Sequence, residues 1–193
     1  MANAQPYSLL VGVGTLYIAP ANEAMPALTA NPAGNWRSLG ETDDGVTVSK
    51  TRNIEKFSSD QRTGNVKAVL TEEAVVVETN LQESTLENLV DAINGSVTVT
   101  APGGGTIGKK SITLHAGALV EEFAFLFRGT SPYGNWPAQY YLPRGFFDDD
   151  VEMEYKKDEK SLIPVKFEAL EDLNAATEAE RFGVYEAQHA AAL

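Results

Sequence analysis

Gly103-Gly104-Gly105-Thr106-Ile107-Gly108-Lys109 has the spacing of a phosphate-binding loop up to its lysine. Such a loop needs Ser or Thr after the lysine to hold magnesium, and a helix N-terminus to meet the phosphates. Lys110 follows instead, and residues 111–115 alternate as a strand does, so the segment reads as a hairpin loop. Gly12-Val13-Gly14 carries half of a dinucleotide fingerprint, yet Tyr17 stands where the third glycine belongs and no helical pattern follows. Asp148, Asp149 and Asp150 with Glu152 and Glu154 supply the clustered oxygens that hard cations favour, but strand alternation leaves at most three of them on one face. The imidazoles are His115, inside an apparent strand, and His189, in the tail; neither has a nucleophile motif or a paired zinc-binding histidine beside it. Asn94-Gly95-Ser96 fits a glycosylation sequon and is explained fully as a helix stop. Trp36, Tyr133, Trp136, Tyr140 and Tyr141 could stack on a ligand, although aromatic residues beside loops more often anchor packing or an interface. These residues predict no enzyme, no cofactor and no metal site.

Composition narrows the classes further. The chain has 193 residues, 43% of them hydrophobic, and no cysteine, which excludes a disulfide framework and a thiolate zinc site. With 15 basic against 27 acidic residues the net charge is −12. Stable nucleic-acid binding depends on neutralising phosphates with a basic surface, so it is not expected, whereas contact with DNA that slides past is allowed. No run approaches the roughly 18 apolar residues of a membrane span, and residues 1–6 lack the basic start of a secretory signal. The expectation is a soluble cytosolic product with no membrane partner. One domain is expected over residues 1–170, with an N-terminal arm and a loop at 20–35, followed by an Ala- and Glu-rich extension over 171–193.

The elements that must position any site are mainly β. Residues 9–19 read as a buried strand, and residues 20–35, rich in Pro, Ala, Asn and Gly, as a long surface loop. Val46, Val48, Lys50, Arg52 and Ile54 then share one face of a strand while Thr47, Ser49, Thr51, Asn53 and Glu55 share the other. Residues 58–64 form a polar turn, and the chain returns through the strongly β-forming Val75-Val76-Val77, completing a hairpin too long for a small domain to cover. Ser84 with Glu87 makes a capping box for one helix, whose Leu86, Leu89, Val90 and Ile93 fall on one face. Strands are predicted at 97–100, 110–115, 119–127, 140–142, 151–157 and 162–170. In the strand at 151–157, Val151, Met153 and Tyr155 point one way and Asp150, Glu152 and Glu154 the other. Pro164 marks an edge or a bulge. The tail beyond Glu171 is weakly helical, and residues 141–193 hold 13 acids against 6 bases.

A long hairpin polar on one face, an acidic strand and a long arm, without any catalytic group, fit a subunit whose β edges are completed by copies of itself. The order of Trp36-Arg37-Ser38-Leu39-Gly40-Glu41-Thr42, Asp44-Gly45-Val46, the hairpin, and Leu81-Gln82-Glu83-Ser84-Thr85-Leu86-Glu87-Asn88-Leu89 resembles the major tail tube proteins of long-tailed, siphovirus-like bacteriophages. These are related in fold to contractile-tail and type VI secretion tubes. The resemblance spans about residues 8–170. It implies a β-sandwich or partial barrel with a flanking helix, assembled as hexameric rings whose subunits each give four strands to an inner β-barrel. It further implies stacking of the rings around a tape-measure protein, contact with tail tip and terminator proteins, a place in the virion tail after assembly in the host cytoplasm, and later passage of the genome. On that basis alternation assigns Thr47, Ser49, Thr51, Asn53, Asp150, Glu152, Glu154 and Glu168 to the lumen, a negative wall that repels phosphates. Stacking between rings falls to the N-terminal arm and to the loop with Glu55, Lys56, Phe57, Ser58, Ser59, Asp60, Gln61 and Arg62. The alternative is a monomeric β-sandwich binding or adhesion module that recognises a carbohydrate or a protein through Trp36, Trp136 and Tyr140.

Overall fold

The computed structural model describes residues 14–114 and 119–190. Its strands are β1 (Thr15–Pro20), β2 (Arg37–Ser38), β3 (Thr42–Ser58), β4 (Asn65–Leu81), β5 (Val97–Thr100), β6 (Lys109–Ile112), β7 (Phe123–Thr130), β8 (Pro137–Phe147), β9 (Ile163–Ala169) and β10 (Val184–Ala187), with one α-helix, α1 (Leu86–Ile93). A single sheet runs β2-β1-β7-β8-β9-β4-β3, and β10 adds to β8; every pairing is antiparallel. β5 and β6 form a separate two-stranded sheet.

The sheet folds over on itself at β8, which makes the sandwich. Residues Ala138 to Tyr141 of β8 pair with β10, whereas Gly145 to Phe147 pair with β9. Gly145 permits the turnover, because a Cβ there would overlap the carbonyl of Glu168 and the ring of Phe167. Across the core, Phe125 of β7 stacks on Phe167 of β9 with centroids 4.8 Å apart. Leu16, Ile18 and Leu142 from one half meet Val77, Leu81, Ile163 and Val165 from the other. Each such side chain, fully withdrawn from water, contributes roughly 1.5–3 kcal/mol before the entropy of ordering is subtracted.

Helix α1 closes the sandwich through Ala92 and Leu89. Its N-cap is Thr85, whose hydroxyl accepts from the Asn88 N–H at 3.3 Å, and not Ser84, whose hydroxyl donates to the Ser161 carbonyl at 3.0 Å. Thr85 takes the role because the helix begins one residue later than the capping box implied. Asn94 ends the helix in the left-handed conformation, φ 54°, with Gly95 N–H returning to the Val90 carbonyl.

Three further expectations are corrected by tertiary contacts. The 20–35 loop is no free arm: it is strapped across the outer half of the sheet. Arg128 donates to the carbonyls of Ala27 and Ala30, Gln139 to that of Pro26, Tyr141 to that of Glu23 and Trp36 to that of Ala24. Beneath it Trp36, Ala124 and Leu126 form a second core. The tail is not helical beyond a short turn at Glu178–Glu180; it ends in β10, held by the Tyr140 ring stacked on Tyr185 at 4.2 Å. Residues 151–157 make no strand ladder, and Tyr155 is 82% exposed although Val151 and Met153 pack against the core. The expected first strand is observed from Thr15 on, and its beginning at residues 9–13, like His115 and the N-terminal arm at residues 1–13, lies outside the described residues.

Candidate assembly surfaces

The β3–β4 hairpin carries the surface that sequence alternation singled out. Its register pairs Thr47 with Glu78, Ser49 with Val76, Thr51 with Ala74 and Asn53 with Glu72, while Val48 meets Val77 and Lys50 meets Val75 on the core face. Residues paired directly across an antiparallel ladder lie on the same side of the sheet. The next strand continues this arrangement: Val76 pairs with Glu168, Glu78 with Lys166 and Asn80 with Pro164, and Glu168 in turn pairs with Phe146 of β8. The structure thus collects Thr47, Ser49, Thr51, Asn53 and Glu168 on one open face built from β3, β4, β9 and the end of β8. Glu72, Glu78 and Lys166 join them. Sequence reading missed Glu72 and Glu78 because the Val75-Val76-Val77 run hides the period of two in β4, and only the pairing register says which of its residues face outward, whereas alternation in β9 already puts Lys166 on the face of Glu168.

Carboxylates outnumber cations on this face. Lys166 is held by Asp148 at 3.0 Å, and that contact raises its ammonium above the usual lysine range. Arg144 takes both oxygens of Glu122 at 2.5 and 2.7 Å, and the guanidinium holds this carboxyl below the ordinary carboxylate range. Glu152 and Glu154 line a concavity with Asn80 and Pro164, both open-face residues, so they flank the same surface although they are not on a strand. Asp150 is exposed in the same segment. Of the expected lumen set, Thr47, Ser49, Thr51, Asn53 and Glu168 share the open face, and Glu152 and Glu154 border it.

Beyond Val76 the hairpin leaves the body. β9 supports β4 only from Val76 to Leu81, so the rest is a two-stranded ribbon in which Thr51–Ser58 and residues 60–72 are all exposed. Thr71 is an extra residue between the Asn53–Glu72 and Ile54–Leu70 pairs, and its hydroxyl donates to the Asn53 carbonyl at 3.1 Å. A bulge of this kind bends and twists the ribbon. Past it, Ile54, Phe57, Val66, Val69 and Leu70 lie 37–54% exposed. Glu55, Lys56, Phe57 and Ser58 close β3, and Ser59, Asp60, Gln61 and Arg62 form the tip, where Arg62 N–H donates to the Ser59 carbonyl at 2.9 Å. A lone two-stranded ribbon is marginal in water, and apolar residues clustered on one mark a contact surface. Among the described residues, no strand pairs with the outer edge of β3.

The other chemical motifs resolve into structure. Gly103 and Thr106 bridge each other in a tight turn, with Gly104 and Gly105 at φ 54° and 81°, and Lys109 opens a strand instead of a helix. Among the described residues no three His, Asp or Glu side chains converge to hold a metal ion, and no helix is long and apolar enough to cross a membrane. Trp36 is buried under the 20–35 strap and meets Tyr141 edge-on at 6.2 Å. Tyr140 lies on the opposite face of the same sheet, stacked between Phe127 and Tyr185, so Trp36 and Tyr140 cannot share a ligand platform. Tyr140 and Tyr185 instead line a cleft of about 540 Å³ facing Val48, Lys50, Glu73 and Val75 of the hairpin.

An antiparallel sandwich with a polar sheet face, an exposed apolar ribbon and a long edge that no described strand pairs has the character of a structural subunit rather than of an enzyme fold around a pocket. The chain belongs to the phage tail tube protein family, whose model matches residues 1–183. It is a structural component of the virion tail. No curated protein matches the sequence.

Proposed function

We propose that this protein is the major subunit of a siphovirus-like tail tube, assembling into six-membered rings that stack coaxially and turn the open face of β3, β4, β9 and the end of β8 toward the bore. The single observation that carries the reading is the open face itself: four adjacent strands present polar and acidic side chains on the side away from the core, in a sheet with an unpaired edge. A cyclic arrangement satisfies such an edge without leaving another free, which is the closed solution to heterologous contact.

The mechanism of conduction is electrostatic. Glu72, Glu78 and Glu168, with Glu152, Glu154 and Asp150 at the flank, give the bore a negative field. Carboxylates outnumber the lysines there, and Lys166 and Lys156 are already paired with Asp148 and Glu154, so the genome slides where a basic wall would capture it through counterion release. The tape-measure protein would occupy the bore before ejection, the tip and terminator proteins would cap the ends, and the subunit would wait in the host cytoplasm before polymerising. Ring-to-ring contact falls to the distal ribbon, whose exposed Phe57, Val66 and Leu70 gain burial when the next ring covers them.

Negative-stain electron microscopy across a concentration series tests the reading: rings or tubes are expected, and a particle that remains monomeric throughout overturns it. In assembled tubes, Thr51→Cys and Glu168→Cys should react with a small maleimide that enters the bore and resist one too large to enter. Equal reaction with both reagents would place this face outside.

A further inference from the structure

We propose that residues 151–157 become a strand when copies meet, pairing with the free edge of β3 on the neighbouring copy; the inference rests on the ring reading and names the seam of that ring. The segment already has a strand's side-chain order. Val151 and Met153 pack against the core, whereas Glu152 and Glu154 turn to the concavity bordered by Asn80 and Pro164 of the open face. The Asp148 N–H donates to the Lys166 carbonyl at 2.8 Å, so the chain leaves β8 running beside β9. Past that bond it enters no ladder with any described strand. Its peptide groups lack sheet partners for the same reason that those on the outer edge of β3 do.

Strand direction favours this pairing. β3 is antiparallel to β4, β4 to β9, and β9 to the end of β8, so β3 and the continuation of β8 run opposite ways at the two ends of one open-faced sheet. Cyclic symmetry points every copy the same way along the axis. The β3 of one copy therefore lies antiparallel to residues 151–157 of the next, and the seam repeats the pattern of the rest of the sheet.

The absence of native cysteine makes the seam directly testable by cross-linking. Glu152→Cys is combined in one chain with Ser49→Cys, Thr51→Cys or Asn53→Cys in turn, and assembled protein is oxidised and run on a non-reducing denaturing gel. At least one pair is expected to give a ladder of covalent multimers, because facing strand residues lie within disulfide reach. Separately, Glu152→Pro and Glu154→Pro each remove one N–H donor that no described strand uses within the chain. Their thermal unfolding as monomers should match wild type, with tube formation lost. Tubes that give no cross-link from any of the three pairs, or proline variants that assemble as wild type, overturn the seam and leave the ring reading standing. Wild-type protein that stays monomeric at every concentration overturns both.

Discussion

Asp91 carries the least comfortable charge among the described residues. Burial lifts its carboxyl above the usual aspartate range, against the opposing pull of the Arg37 guanidinium, with Glu121 and Glu87 adding repulsion. Arg37 donates to both Asp91 and Asn88, tying β2 to α1, and Asn88 donates in turn to the carbonyls of Leu39 and Glu83 at 3.0 Å each. A carboxyl whose pKa is higher folded than unfolded favours folding below its unfolded value and loses that contribution as pH rises through its folded value. Asp91→Asn, which keeps an acceptor for Arg37, is expected to gain stability relative to wild type as pH rises from acidic to neutral. Urea unfolding of both proteins at several pH values checks this, and a constant difference would mean that the carboxyl is not perturbed. The role of Asp91 was invisible in sequence because Arg37 lies 54 positions away. The Ser84–Glu87 pattern, by contrast, located the helix to within one residue, since capping is local chemistry.

In the proposed ring, the hairpin is the element on which assembly turns. Its body is anchored by β9, and its distal part has only the Thr71 bulge and its own ladder to hold it. Deleting residues 58–63 removes the tip without touching a core residue, so the variant is expected to remain a soluble, folded monomer that forms no tubes. Circular dichroism and negative-stain microscopy together check this; normal tubes would remove the tip from ring stacking. Alternation made the two faces of β3 legible from sequence, because a solvent face and a core face impose a period of two. The same logic failed at residues 151–157, where the pattern of a strand is present but no described strand pairs with it. It failed also at Val184–Ala187, whose short strand exists only because β8 offers it an edge.

Acidity at the scale of the whole molecule becomes meaningful only once it is placed. A chain of net charge −12 could spread its carboxylates evenly, yet Glu72, Glu78 and Glu168 share one sheet face with the acidic 148–154 segment at its flank. Replacing Glu72, Glu78 and Glu168 with Lys should leave the fold intact, since all three point away from the core. Tubes of that variant are expected to retain short DNA at low salt and release it as salt rises, whereas wild-type tubes retain none. Filter binding at graded ionic strength reads the difference, and equal behaviour would show that the face does not line the bore.

By itself the sequence determined the β class, the hairpin, the helix and the polar face of β3, because each is written in local periodicity and capping. The absence of cysteine and of any complete catalytic motif was equally legible. Only the tertiary structure decided that the 20–35 loop is a strap, that the sheet folds over at Gly145, and that Glu72 and Glu78 join the open face. Those facts depend on register and long-range pairing, which join residues far apart in the chain and leave no mark on the spacing of neighbours.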